Sequence, residues 1–226
     1  MENKNGNFKR SARITASLFF VFMLLHQTDK LLIGPMQTPI MDTFNMTYTQ
    51  RGAINTGALL VGSLLYPLWG WLNDRYNRGK LLALASLVWG STTWFSAIAR
   101  TFPAFLVSRS STGIDDSSYP GMMSLLADYY PPKTRGRIYG LLQITQPLGY
   151  LLGMVLALIL GGMIGWRSIF YITGSLGILL SVAIFFGVKD IPRGSSEEEL
   201  RGVEVAKYKF NWKAVGEIFK KRSLIL

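Results

Sequence analysis

Long apolar runs alternate along this chain with short polar segments. A helix of about 20 residues is long enough to cross the ~30 Å hydrocarbon core of a bilayer, and each run is close to that length. The pattern therefore predicts an all-α, polytopic membrane protein with six transmembrane helices. We place these helices at residues 14–34, 52–72, 80–99, 102–127, 138–163 and 168–188.

Three segments follow from this pattern. Residues 1–13 form a polar, basic N-terminal segment, and residues 14–190 form the six-helix bundle. Residues 191–226 are predicted to be a cytoplasmic, amphipathic linker, because Trp212, Val215, Ile218 and Phe219 recur at helical spacing opposite basic side chains. A disordered tail is the alternative. A new apolar run opens at Ser223 and is expected to be the start of a truncated seventh span.

Lys and Arg collect in every second polar segment. Most of the 24 basic residues precede the first span, follow the sixth, or lie in the loops after the second and fourth spans. Cytoplasmic segments of membrane proteins are enriched in basic residues, so both termini are expected to be cytoplasmic. The expected location is a cell membrane, either plasma or inner.

Composition supports a membrane protein and narrows the partners. Hydrophobic residues make up 49% of the chain, charged residues 16%, and the mean hydropathy is +0.25, which exclude an ordinary soluble domain. The net charge of +11 is divided among loops and ends, so it favours anionic membrane lipids over nucleic acid as partners. With one His and no Cys we expect no metal site, no cofactor and no enzyme, since no nucleophile–base set or phosphate-binding Gly loop is found either.

The loop after the second span carries a recognisable motif. Residues 70–80 read Gly-Trp-Leu-Asn-Asp-Arg-Tyr-Asn-Arg-Gly-Lys. This pattern, at this position, resembles the signature loop of the major facilitator superfamily, although Gly79 separates the two basic residues that usually adjoin. Within this motif and the loop after the fourth span, the candidates for a cytoplasmic gate are Gly70, Asp74, Arg75, Arg78, Asp128 and Arg135. A solvated loop is the alternative.

Further stretches extend the resemblance to nearly the whole chain. Arg109 with Gly113, residues 126–137 and residues 166–174 look like the fourth span, its loop and the sixth span of that family. Asp29-Lys30 is similar to the Asp-Arg pair in the first span of the Spinster-like branch. Residues 113–117, Gly-Ile-Asp-Asp-Ser, are similar to its Gly-x-Gly-Glu-Ala, with Asp116 in place of Glu.

The resemblance implies the N-terminal half, a 3+3 repeat, of a twelve-span transporter in which solute binds between two halves. It implies secondary active transport by alternating access, coupled to protons or other ions, of a small organic or amphipathic solute. The partner would be a missing C-terminal six-helix half or a second copy. The alternative is a non-transporting membrane protein, either a truncated remnant or a self-assembling scaffold or regulator.

Ionisable residues inside spans are costly and are usually functional or paired. His26, Asp29 and Lys30 share one face of the first helix, and Arg109, Thr112 and Asp116 share one face of the fourth. Asp115 points about 100° from Asp116 and is expected to face an outer loop or a neighbouring helix. The candidate ion and substrate pathway consists of His26, Asp29, Lys30, Arg109, Asp116, Tyr119, Gln143 and Gln146.

Several roles remain open for these residues. Asp116 or Asp29 would bind and release a proton, and Arg109 would hold the conjugate carboxylate or an anionic solute. Purely structural pairs, Asp29 with Lys30 or Arg109 with Asp116, are the alternative. Lys30 also has the option of reaching the outer surface, and His26 suits either a switch or a hydrogen-bonded packing role. Gln143 and Gln146, in a stripe with Tyr139 and Tyr150, suit either solute contact or interhelical hydrogen bonds.

Overall fold

The computed structural model describes residues 2–197, and these residues contain helices and no strand, which confirms the all-α prediction. The predicted amphipathic linker beyond residue 197 and the predicted seventh span lie outside the described residues. The helices are α1 Glu2–Leu32, α2 Gln37–Phe44, α3 Tyr48–Arg75, α4 Arg78–Ile98, α5 Phe102–Ser110, α6 Gly113–Asp116, α7 Tyr119–Tyr129, α8 Pro132–Gln143 and α9 Thr145–Gly187.

The first three predicted spans correspond to α1, α3 and α4. Helix α1 begins at Glu2, so it includes the N-terminal segment that the hydropathy pattern separated from the first span. Sequence reasoning missed α2, which is bent by 56° from α1 and is followed by Asn45 in the left-handed conformation. Side chains of Thr47, Asn77 and Thr101 accept hydrogen bonds at the starts of α3, α4 and α5, which explains where these helices begin.

The fourth predicted span is three helices, α5, α6 and α7, and not one uninterrupted helix. Pro120 lacks the N–H that would bond to the Asp116 carbonyl, so the regular ladder is interrupted before α7. Backbone hydrogen bonds between residues three apart replace it on both sides of α6. They run from Thr112 N to the Arg109 carbonyl at 3.3 Å and from Ser118 N to the Asp115 carbonyl at 2.9 Å. Side chains before and after these turns therefore point in directions that a straight helix does not predict.

The predicted fifth span is divided at Ile144 between α8 and the first part of α9, and the sixth is the second part of α9. Gly165 has φ 74° and ψ 159°, within the predicted loop between the two spans, and glycine adopts this conformation without strain. By length and hydropathy, two stretches of the described residues suffice to cross a membrane, Arg78–Ile98 and Pro132–Gly187, and the bent α1–α2 pair is a third. Because 56 residues exceed one crossing and the chain turns at Gly165, Pro132–Gly187 offers two.

Small residues set the contacts between these helices. In the first half of α9, Gly149 and Gly153 lie against Gln27 and Thr28 of α1. In its second half, a Cβ on Gly174 would lie 2.9 Å from the Gly90 carbonyl of α4. A Cβ on Gly113 would overlap the backbone of α3. These small-residue approaches bring α1 and α4 against α9, and α6 against α3. Helices α1, α4 and α6, with α5 and α7, carry the charged side chains described next.

Candidate functional site

Asp29 lies at the centre of a buried hydrogen-bond network that three other helices complete. Its Oδ1 accepts from the Thr173 hydroxyl of α9 at 2.7 Å. Its Oδ2 accepts from the Thr93 hydroxyl at 3.1 Å and from the Trp89 indole N–H at 3.3 Å, both on α4. Arg109 of α5 donates to the same Oδ2 at 3.3 Å. We call Asp29, Trp89, Thr93, Arg109 and Thr173 the Asp29 network.

The guanidinium of Arg109 is buried with its carboxylate partner. Its side chain is 3% exposed, and its Cζ lies 5.3 Å from the centroid of the Phe170 ring, which adds a cation–π contact. Paired charges with both ions buried are stable only when further hydrogen bonds satisfy them, and Thr93, Trp89 and Thr173 provide these for the carboxylate. The Asp29 network therefore joins four helices.

A second cluster lies one turn before Asp29 on α1. His26 Nε2 lies 2.5 Å from Asp115 Oδ2 and 3.8 Å from Asp116 Oδ1, both on α6. His26 Nδ1 lies 2.6 Å from the Tyr119 hydroxyl of α7. Lys30 Nζ donates to Asp116 Oδ2 at 2.7 Å. We call these five residues the His26 cluster.

The carboxylates of the His26 cluster are less completely paired than Asp29, whose network leaves only one buried side-chain atom, the Arg109 Nε, without a partner among the described residues. Asp115 is 1% exposed, yet its Oδ1 has no hydrogen-bond partner among residues 2–197, and the same is true of the buried Asp116 Oδ1. Two carboxylates face one permanent cation, because Lys30 is the only Lys or Arg side chain in the cluster. Lys30 is 47% exposed, so the cluster extends from a buried histidine to the edge of the bundle.

These pairs correct the ones that the sequence suggested. Instead of Asp29 with Lys30 and Arg109 with Asp116, the structure pairs Asp29 with Arg109 and Lys30 with Asp116. Consecutive residues on α1 point about 100° apart, so Asp29 and Lys30 face different neighbours. The turns around α6 break the predicted stripe between Arg109 and Asp116.

Asp115 was expected to face an outer loop or another helix, and it does contact another helix, α1, as the partner of His26. His26 has the hydrogen-bonded environment that one of its two predicted roles requires.

Sequence reasoning found no metal-ligand cluster, because His26 is far from the two aspartates along the chain. It also missed Trp89, Thr93 and Thr173. Polar groups within apolar spans were the available signal for the threonines.

The predicted stripe on the fifth span divides into two parts. Gln143, Gln146 and Tyr150 are exposed on the surface of the described residues. Tyr139 is partly buried, and its hydroxyl donates to the Met123 carbonyl at 2.8 Å. The glutamines are therefore available to a partner or a solute, whereas Tyr139 joins α8 to α7.

At the predicted cytoplasmic end, Arg78 is the centre of a buried charge network. Its guanidinium lies 2.5 Å from Asp128 and 2.9 Å from Asp190, and it donates to the Ile191 carbonyl at 2.7 Å. Its backbone N–H also donates to Asp190, at 2.9 Å. Arg78 thus ties α4 to α7 and to the segment after α9.

The segment after α9 makes further bonds to the same end of the bundle. Arg193 lies 2.8 Å from Asp74, and Arg135 lies 3.2 Å from Glu197. The Gly194 N–H donates to Asp128 at 2.7 Å. These contacts connect four of the six predicted gate residues through partners that the motif did not identify, Asp190, Arg193 and Glu197. We call the contacts of Arg78, Asp128, Asp190 and Arg193 the linker clasp.

The other two predicted gate residues make none of these contacts. Arg75 places its Cζ 4.5 Å from the Trp71 ring centroid, and Gly70 is exposed with open space around it. Nearby, the Tyr129 hydroxyl donates to the Lys189 carbonyl at 2.6 Å. Burial raises the pKa of Tyr129, so this phenol stays protonated as the donor.

Residues 18–226 match the family model described as Major Facilitator Superfamily. The chain belongs to the major facilitator superfamily. Among curated proteins, it is similar to Protein spinster homolog 1 of Xenopus laevis, with 26% identity over 197 residues, and of Homo sapiens, with 29% over 192 residues. It is also 24% identical over 200 residues to the Sphingosine-1-phosphate transporter SPNS2 of Xenopus tropicalis. The predicted likeness to the Spinster-like branch is confirmed.

Solved structures show the same fold. A bacterial homolog of the human lysosomal transporter Spinster has a TM-score of 0.74 in its inward-facing, unoccupied conformation, with 23% identity, 94% of this chain covered and 50% of that chain. The inward-facing, occupied conformation has a TM-score of 0.72, with 23% identity, 83% of this chain covered and 47% of that one.

Coverage is unequal on the two sides of these matches. The alignments cover 85% of this chain and 37% of the Xenopus laevis protein, and 83% and 36% for the human one. For the Xenopus tropicalis transporter the values are 87% and 39%. The chain thus spans a little over a third of the length of these curated relatives and half of the solved transporter, and it corresponds to a half of the facilitator fold. It is an integral membrane protein, and both the Xenopus tropicalis relative and the solved bacterial homolog are described as transporters or homologs of one.

Proposed function

We propose that this chain forms the N-terminal half of a secondary active transporter that moves a small organic solute by alternating access. The fold supports this proposal, because the chain matches about half of a solved transporter. The observation that carries the coupling is the His26 cluster, a buried charged site whose carboxylates are incompletely paired. Ionisable groups held inside a membrane bundle at this cost mark ion and solute pathways.

The coupling ion, a proton or another cation, binds at the His26 cluster in this proposal. Asp116 is its accessible member, since its side chain is 17% exposed and it pairs with the half-exposed Lys30. Asp29, the other sequence candidate, already accepts four hydrogen bonds, so it positions Arg109 and the surrounding helices. An incoming cation would find a free carboxylate oxygen on Asp116 and none on Asp29.

The solute in this proposal is amphipathic or an organic anion. It crosses the membrane and is released without chemical change. A relative is named a sphingosine-1-phosphate transporter, which supports this class. Gln143 and Gln146 supply exposed amide groups for contact with the solute. The solute lies between this half and six further helices, or a second copy of the chain, in keeping with the general design of such transporters.

The linker clasp lies on the cytoplasmic side in this proposal, with both termini in the cytoplasm of a cell membrane. Basic residues of the loops support this orientation. The Asp74–Arg193 pair is exposed, in contrast to the buried Arg78, so it is the part of the gate that opens at least cost.

The test begins with the coding sequence beyond residue 226. If six more spans follow, the longer protein is used; otherwise the 226-residue chain is used and crosslinked to detect a dimer. The protein is reconstituted in liposomes, and uptake of labelled organic anions and lysolipids is measured with a proton or cation gradient. Asp116→Asn should abolish gradient-driven uptake, and Asp42→Asn, an exposed carboxylate outside the site, should not.

Three outcomes would contradict this proposal. Gradient-driven uptake that persists in a folded Asp116→Asn protein removes the coupling role of the cluster. If a wild-type protein of twelve spans takes up none of the solutes in the panel, the proposal that it is a transporter of this class is rejected. A 226-residue chain that dimerises but does not transport favours the self-assembling scaffold or regulator, and one that does neither favours the truncated remnant.

A further inference from the structure

The fold brings together three side chains that ligate metals. The His26 imidazole from α1 and the carboxylates of Asp115 and Asp116 from α6 offer ligand atoms that all lie within 4.8 Å of one another. This nitrogen and two-oxygen donor set suits divalent first-row transition metals such as Zn²⁺, Mn²⁺ or Co²⁺ better than Mg²⁺ or Ca²⁺, which take oxygen ligands.

Buried oxygen atoms at this point lack donors. Asp115 is 1% exposed, and its carboxylate is directed at His26, with Oδ2 lying 2.5 Å from Nε2. Among residues 2–197, no group donates to Asp115 Oδ1 or to the buried Asp116 Oδ1. Buried polar atoms in folded proteins nearly always have a partner, so these oxygens indicate a cationic ligand between the two carboxylates.

Tyr119 orients the imidazole for metal ligation. Its hydroxyl lies 2.6 Å from His26 Nδ1, so with a metal bound an Nδ1–H would donate to the phenol oxygen and leave the Nε2 lone pair for the ion. In the structure, the 2.5 Å between His26 Nε2 and Asp115 Oδ2 requires a proton between these two atoms, which the ion would displace. Histidines that bind metals characteristically donate their other ring N–H to an outer partner in this way.

Charge balance explains why Lys30 also belongs to the cluster. A divalent cation neutralises the two carboxylates beside a neutral imidazole. The ammonium of Lys30 then gives the site an uncompensated positive charge. Lys30 is 47% exposed and lies 2.7 Å from Asp116, so its ammonium has a path to water when a cation approaches. We propose that His26, Asp115 and Asp116 bind a divalent transition-metal ion, and that Lys30 competes with this ion for the Asp116 carboxylate.

The distances require only a small adjustment. In a tetrahedral zinc site, neighbouring ligand atoms are roughly 3.4 Å apart. The 3.8 Å from His26 Nε2 to Asp116 Oδ1 is close to that value, whereas the 2.5 Å from Nε2 to Asp115 Oδ2 must widen. The Asp115 carboxylate and the imidazole therefore have to move apart by about 0.9 Å when the ion binds. Solvent or a solute group would complete the coordination.

Metal binding is measured on the 226-residue chain in detergent micelles, purified with a tag that contains no histidine. The chain has one His and no Cys, so few other positions compete for Zn²⁺ or Co²⁺. Isothermal titration with Zn²⁺ should give one ion per chain, and Co²⁺ should give the visible absorption of a bound ion. Mg²⁺ and Ca²⁺ should bind at least 10-fold more weakly.

Matched variants assign the ion to this site. His26→Gln and Asp115→Asn should each weaken Zn²⁺ binding by at least 10-fold, and Tyr119→Phe by about 10-fold through loss of the outer partner. Lys30→Gln should tighten binding by roughly 10-fold, because the competing ammonium is removed, a gain of about 1.4 kcal/mol. Asp42→Asn, which removes an exposed carboxylate elsewhere, should bind as the wild type does.

Several results would overturn the inference. One is a folded wild-type chain that binds no Zn²⁺ or Co²⁺, and another is undiminished binding in His26→Gln. If the ligand variants fail to fold, Lys30→Gln decides, since unchanged or weaker affinity contradicts competition at Asp116. These measurements involve no transport, so their failure leaves the proposed function to be judged by uptake alone.

Discussion

The Asp29 network and the His26 cluster lie one turn apart on α1, yet they satisfy their charges differently. Asp29 accepts hydrogen bonds from Thr173, Thr93, Trp89 and Arg109, so both of its oxygens are occupied. Asp115 is buried as deeply, but its Oδ1 has no donor among the described residues.

The difference separates two uses of a charge inside a membrane bundle. A carboxylate with every oxygen occupied and a buried cation beside it holds helices together, and it has nothing left to offer a ligand. A carboxylate with an unoccupied oxygen keeps that capacity. In the sequence, Asp29 and Asp115 are both aspartates within apolar spans. Only the neighbouring side chains in the folded structure distinguish them.

The largest effect on stability is expected for Asp29→Asn. The amide would direct N–H groups at the donors Thr93 and Trp89, and Arg109 would remain buried without its counter-ion. Removing one partner of a buried ion pair costs about 3–5 kcal/mol. Thermal unfolding in micelles, followed by circular dichroism, should show a clearly lower midpoint than for wild type or Asp42→Asn. A wild-type midpoint would mean that Arg109 finds another partner and that the network is not structural.

A smaller loss is expected for Arg78→Lys at the linker clasp. Lysine keeps the charge, but its three N–H donors lie on a single nitrogen. It therefore cannot span Asp128, Asp190 and the Ile191 carbonyl, which the separate nitrogens of the Arg78 guanidinium contact together. Hydrogen bonds to charged groups are worth about 1.5–3 kcal/mol each, and we expect a loss of about that size. Limited proteolysis should cleave within residues 191–197 faster than in wild type. Equal cleavage rates would show that the clasp does not hold this segment.

The helical architecture was predictable because it depends on apolar length and on charge distribution along the chain. The predicted loop between residues 163 and 168 contains Gly165, the point where the backbone turns. Short-range interruptions were not predictable from hydropathy. Pro120 divides the fourth span, and α2 forms in a stretch too short to register as a span.

The residues of the site were predictable, but their pairing was not. His26, Asp29, Lys30, Arg109 and Asp116 stand out because ionisable side chains are rare in apolar spans. Pairing depends on how α6 is turned relative to α5 and on which helix each side chain faces, and these are tertiary properties. Asp115 shows the consequence, since it was left out of the candidate pathway and is the direct partner of His26.

The smallest effect on stability is expected for Asp115→Asn, the same substitution as at Asp29. The asparagine oxygen can still face His26 Nε2, and no N–H group among the described residues donates to Asp115 Oδ1. Two carboxylates in the cluster face one permanent cation, so neutralising one removes surplus negative charge. We expect a change of about 1 kcal/mol or less, of either sign. Since Asp29 and Asp115 share no partner, the double variant should equal the sum of the single changes to about 0.5 kcal/mol. An Asp115→Asn protein as unstable as Asp29→Asn would show that both carboxylates serve the fold, and the distinction between the two regions would be lost.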